Sequence, residues 1–210
     1  MVYLCAAVGG GFGRGGGGGA GGAQESWNWS SNATVTIRCY TTCQEVTLTL
    51  NDQPLGSKQL ADAVQGTLTW QVPFQPGVLK AVGHSNGKPD CEFVLKTAGP
   101  AGAVALLPEV TKLRANGKDV SCIEFRVVDD QGVRVPNAAQ ELTFTVEGPG
   151  KLIDLDNGDL NTPESGKDGK RHVLRGHGLA IVQATREPGR IRLTAKAEGL
   201  KDATVEIDAQ

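Results

Sequence analysis

The chain has 210 residues, 39% of them hydrophobic and 21% charged, with a formal net charge of -2. That balance describes a globular protein and excludes an electrostatic preference for nucleic acid or an anionic membrane surface. No run approaches the ~18 consecutive apolar residues that span a bilayer, and five cysteines without a Cys-x-x-Cys pair indicate neither a zinc knuckle nor a disulfide scaffold.

Residues 1–8 are apolar but lack the basic start and small-residue cleavage site of a signal peptide. Eleven of the 29 glycines follow before Gln24, a run that cannot bury enough apolar surface to offset its backbone entropy. Residues 1–24 are therefore expected to be a disordered, glycine-rich leader. Its single Arg14 is too little for an RNA-binding arginine-glycine segment.

Order is expected from Glu25. Trp27 and Trp29, two apart in an extended segment, point to the same side and form a flat apolar patch. Such a patch suits packing against a neighbouring domain, stacking on a sugar ring, or burial in its own core. Val35, Ile37 and Cys39 then alternate with polar residues, as do Val46, Leu48 and Leu50, and Leu68, Trp70 and Val72, the period of strands with one buried face. Residues 51–56 and Pro73, Pro76 and Gly77 read as turns. Asn86-Gly87 is the strongest hairpin signal, joining a strand at residues 78–83 to one at 92–95.

Residues 97–103 are small and patternless, the mark of a domain boundary. A second strand series follows, through residues 104–107, Ile123 to Val127, Leu142 to Val146, 179–184, Ile191 to Ala195 and Ala203 to Ile207. Gly and Asn-Gly turns punctuate it at sandwich spacing. Residues 154–171, polar and charged, are expected to form a surface loop. The expected fold is all-β: two tandem immunoglobulin-like antiparallel sandwiches, at residues 25–97 and 98–210.

The residues also resemble a specific family. Trp27-Asn28-Trp29, the run from Glu45 to Asn51 with Pro54-Leu55-Gly56, and the run from Trp70 to Ala81 are similar to the immunoglobulin-like domain that follows the catalytic barrel of bacterial β-galactosidases of glycoside hydrolase family 2. The runs from Leu113 to Asp119, Val127 to Gly132, Val135 to Ala138, Asp156 to Asp159 and Ala197 to Leu200 are similar to the C-terminal domain beyond it. Two departures are Ser26, where the family pattern has histidine, and Asp52, where it has glycine. The resemblance implies accessory domains that support or frame a catalytic barrel. It also implies a periplasmic or extracellular setting, although no signal peptide is visible. Such a barrel takes about 250 residues and eight helices, and a glycosidase needs two carboxylates flanking the scissile bond. No catalytic residue is therefore expected here. Trp27 and Trp29, first in the ordered chain, are expected to face the barrel or to stack on sugar. Two other readings stay open: a carbohydrate-binding module, and tandem repeats of a bacterial surface adhesin.

Asp154, Asp156 and Asp159, with Asn157, bring enough oxygens together to suggest calcium, although the distal glutamate of an EF-hand loop is missing; otherwise no cofactor is expected. His84, His172 and His177 match no zinc pattern. Neither a Gly-x-Ser-x-Gly elbow nor a phosphate-binding Gly-x-x-x-x-Gly-Lys loop occurs, and Asn32-Ala33-Thr34 is a glycosylation sequon. The cysteines are expected to be free thiols, with a bridge from Cys39 or Cys43 to Cys91 left open.

Overall fold

The computed structural model describes residues 1–8 and 22–210, which divide into two compact units, Met1–Thr97 and Ala98–Gln210. Each is an immunoglobulin-like sandwich of two sheets around its own core. Most of the expected leader, residues 9–21, lies outside the described residues. Its first residues do not: Val2–Val8 is a strand, β1, paired antiparallel with the second strand from Val2↔Thr41 to Val8↔Val35. Order therefore does not wait for Glu25. The strand reads as an unbroken apolar run because Leu4, Cys5, Ala6 and Ala7 are all buried, so no polar face marks its period.

The first unit continues with β2 (Thr34–Thr41), β3 (Glu45–Leu50), β4 (Gln53–Gln59), β5 (Leu68–Pro73), β6 (Val78–Ser85) and β7 (Lys88–Lys96). One sheet has the order β1-β2-β5, the other β4-β3-β6-β7. The alternation read from the sequence is the burial pattern. Val35, Ile37 and Cys39 meet Val46, Leu48 and Leu50 across the core, with Leu68, Trp70 and Val72 beside them. Each fully buried aliphatic side chain contributes roughly 1.5–3 kcal/mol. An exposed pair on the outer face such as Lys80–Glu92, at 2.6 Å, contributes about 0–1 kcal/mol. Burial therefore sets the register, since a one-residue slip would turn every inward side chain to water.

Turn chemistry closes the hairpins. Asn86 and Gly87 take φ of 52° and 73°, the paired positive values of a type I′ turn. Asn51 and Asp52, at 50° and 62°, do the same between Leu50 and Gln53. Asp52 thus occupies the left-handed position the family pattern gives to glycine, which aspartate tolerates better than most residues.

The second unit comprises β8 (Ala103–Pro108), β9 (Lys112–Leu113), β10 (Val120–Val128), β11 (Glu141–Glu147), β12 (Gly150–Asp156), β13 (Lys170–His172), β14 (His177–Ala184), β15 (Gly189–Lys196) and β16 (Ala203–Ala209). Its sheets run β12-β14-β10-β8 and β13-β11-β15-β16-β9. Phe125 on β10 and Phe144 on β11 join them, ring centroids 4.9 Å apart. The expected loop at residues 154–171 is shorter than the sequence suggests, because β12 extends to Asp156 and β13 begins at Lys170. Among the described residues no helix is long and apolar enough to cross a membrane.

Candidate functional site

Three separate pieces of the first unit's sequence converge on the turn between β5 and β6. Trp27 is fully buried; its Nε1 donates to the Gln75 carbonyl at 2.9 Å, and its ring lies 5.4 Å from that of Phe74. Thr97 Oγ1 donates to the Trp27 carbonyl at 2.7 Å and accepts from the Gly77 amide at 3.0 Å. From the far side, Asn51 Nδ2 donates to the Pro76 carbonyl at 3.0 Å and its Oδ1 accepts from the Val78 amide at 2.8 Å. Gly77, with φ of 137°, leaves room for that amide, since a Cβ there would overlap the Asn51 side chain. The turn is thus held from two sides by side chains remote in sequence.

Trp27 therefore neither stacks on a sugar nor faces another body. A ring of that size contributes most where it excludes water, and here it plugs the end of its own core. Trp29 differs. It is half-buried against the same core, and its Nε1 is sheltered from solvent without a hydrogen-bond partner among the described residues.

In the second unit the aspartates expected to hold calcium bond to nearby backbone. Asp156 Oδ1 accepts from the Gly158 amide at 2.9 Å, Asp159 Oδ1 from the Asn161 amide at 3.0 Å, and Asp154 Oδ1 from the Leu155 amide at 2.9 Å. These are local turn and strand-end bonds of the kind short acidic side chains make to nearby backbone. The cation beside them is Arg171, 4% exposed, which donates to the Glu164 carbonyl at 2.9 Å and to Asn157 Oδ1 at 3.2 Å, with Asp156 at 3.5 Å.

Glu141, Glu164 and His172 come close enough to share a metal, a grouping the sequence did not reveal. Pairing Glu141 with His172 depends on the β11–β13 register, which brings together residues 31 positions apart without any local pattern. Glu164 contacts the His172 ring. Lys170 already lies 3.5 Å from Glu141 and Arg171 3.8 Å from Glu164, so the group reads as an ion-pair network. Beside it, Gln140, Glu141, Thr143, Lys196, Ala197 and Glu198 line a cleft of about 480 Å³.

Several carboxylates sit outside their ordinary range, all of them below it. The Arg114 guanidinium, with Asn116, holds Asp119 well down, and Arg192 does the same for Glu206. Bonding to His172 lowers Glu164 against its burial. Burial pushes Glu124 up, but the Arg126 guanidinium at 2.6 Å outweighs it. Burial likewise raises Asp129, and backbone amides of Gly99, Val133 and Gln131 outweigh that.

Comparison with known proteins adds the following. The sequence profile described as glycoside hydrolase family 2 C-terminal domain 5 matches residues 104–206, and a profile described as a domain of unknown function, DUF4982, matches residues 32–90. The chain is 34% identical to β-galactosidase BoGH2A of Bacteroides ovatus over 171 residues, 81% of this chain and 20% of that protein. It is 28% identical to a β-glucuronidase of Formosa agariphila over 171 residues, 79% of this chain and 17% of that one. Among solved structures, a family 2 member from Bacteroides cellulosilyticus superposes with a TM-score of 0.84 at 26% identity, covering 100% of this chain and 28% of the other. A β-glycosidase from Bacteroides vulgatus also gives 0.84 at 26% identity, covering 100% and 24%. The chain thus spans about a fifth of the curated relatives' length.

Proposed function

We propose, because this chain belongs to the C-terminal region of glycoside hydrolase family 2, that it is a non-catalytic pair of sandwiches supporting a catalytic barrel carried outside these residues. The observation that carries the reading is the architecture, two all-β sandwiches that match about a fifth of their relatives' length, and the state of the acids agrees with it. A glycosidase's general acid must keep its proton near neutral pH, which requires an apolar or like-charged surrounding that raises its pKa. Asp119, Glu124, Asp129, Glu164 and Glu206 are all displaced the other way, by arginine, histidine or backbone N–H groups. They are suited to holding turns and strands together and unsuited to donating a proton to a leaving group.

Within that role Trp29 is the barrel-facing residue. Trp27 anchors the segment in the core, and Trp29, two residues on, is only half-buried, so part of its ring is left open for an adjoining body to cover. The test is a graft of this chain in place of the matching fifth of the Bacteroides ovatus β-galactosidase. Deleting that region should lower soluble yield and hydrolysis of nitrophenyl β-galactoside, and the graft should restore both. Trp29→Ala should weaken the restoration while changing the isolated chain's stability by no more than about 1 kcal/mol. A graft that performs no better than the deletion would count against the role.

A further inference from the structure

Cys43, in the connection between β2 and β3, and Cys91, on edge strand β7, place their sulfurs 3.3 Å apart although 48 residues separate them in sequence. Gly83 makes this possible. It lies opposite Cys91 in the β6–β7 pairing, and a Cβ there would stand 2.5 Å from the Cys43 sulfur, so only glycine leaves the channel open through which Cys43 reaches across β6. Asp90, exposed beside the pair, lies 3.7 Å from the Cys43 sulfur and is itself held by Ser85 Oγ at 3.1 Å. Cys43 is buried, whereas Cys91 is partly exposed at the edge.

We propose that Cys43 and Cys91 form a reversible intramolecular disulfide, with a low-molecular-weight disulfide such as oxidised glutathione as the oxidant. The accessible Cys91 thiolate attacks one glutathione sulfur, breaking the glutathione S–S bond and expelling one glutathione thiolate. The Cys43 thiolate then attacks Cys91 Sγ in the mixed disulfide and expels the second. The two thiol protons pass to the two glutathione thiolates, with Asp90 placed to accept the one from Cys43; the protein loses two electrons and the glutathione disulfide gains them. Closing from 3.3 Å to a bond of roughly 2.0 Å is a side-chain movement within the space Gly83 leaves.

The other thiols of this unit are poorly suited. Burial pushes Cys39 up to about 12 and raises Cys5 and Cys91 as well, but Cys91 alone of these three is partly exposed and stands 3.3 Å from the Cys43 sulfur. Burial also acts on Cys43, but hydrogen bonds from Cys91 and Thr41 help bring it below its ordinary value, the state of a resolving nucleophile.

The purified 210-residue chain, folded and reduced, is incubated with oxidised glutathione and mapped by mass spectrometry without reduction. The expected result is loss of two hydrogens and one linked peptide pair, Cys43 to Cys91, with the melting midpoint raised by roughly 10 °C and returned by dithiothreitol. Cys43→Ser should instead retain a glutathione adduct on Cys91, because the resolving thiol is gone. If that variant fails to fold, Cys91→Ser should show neither bridge nor adduct. Wild-type protein that keeps both thiols free, holds a lasting adduct on Cys91, or bridges Cys91 to Cys39 would overturn the proposal.

Discussion

Trp27→Ala should destabilise the Met1–Thr97 unit by about 3–5 kcal/mol, the range for truncating a buried large aromatic, and lower its melting midpoint by at least about 10 °C. Two losses combine. The indole leaves a cavity between Phe74 and the core, and the Gln75 carbonyl loses its donor, loosening a turn also held by Asn51, by Thr97 and by the Phe74 amide on the Ala33 carbonyl. Trp27→Phe separates the two, since it retains most of the packing and removes only the hydrogen bond, worth about 0.5–1.5 kcal/mol. Measured by chemical denaturation, a Trp27→Ala loss below about 1 kcal/mol would show that the ring is not part of the core.

Phe125→Ala should cost the Ala98–Gln210 unit a similar amount, about 3–5 kcal/mol. Phe125 is fully buried on β10 and sits opposite Gly178 on β14. Its ring lies across the glycine so closely that any Cβ there would overlap it. The ring thus covers backbone that glycine leaves bare, and it also reaches Phe144 on the other sheet. Truncation would remove the link between sheets and expose that backbone together. Gly178→Ala, which overpacks the same spot, should cost about 1–3 kcal/mol. Hydrogen exchange at β10 and β14 amides reads both variants, and unchanged protection in Phe125→Ala would contradict the assignment.

Much of the fold was legible because water lies on one side of most strands. Val35, Ile37 and Cys39, or Leu142 and Phe144, alternate since each sheet has one dry face. Where that condition fails, so does the reading. β1 is covered on both faces and looks like an apolar leader. β4, Gln-Pro-Leu-Gly-Ser-Lys-Gln, is an exposed edge strand without an inward set and looks like the tail of a turn.

The site was less legible. Trp27 and Trp29 were visible as a pair, but their different fates depend on Gln75 and Phe74, 48 and 47 residues downstream. Arg171 gave no signal at all: a charged residue in a charged stretch predicts exposure, and it is buried because Glu164, Asn157 and Asp156 fold their oxygens around it. Of the aspartates that suggested calcium, Asp156 is the one within reach of it, and in the sequence an acceptor looks alike whether it faces a metal or an arginine. The partner of Cys91 was open between Cys39 and Cys43, beside free thiols; the fold sets Cys43 next to it across Gly83.

The most direct test of a non-catalytic role is hydrolysis of nitrophenyl β-galactoside and β-glucuronide by the purified chain alone. The account predicts product release no faster than in buffer at every pH from acid to neutral. Turnover that saturates with substrate, disappears on heating and tracks the folded chain through chromatography would contradict it.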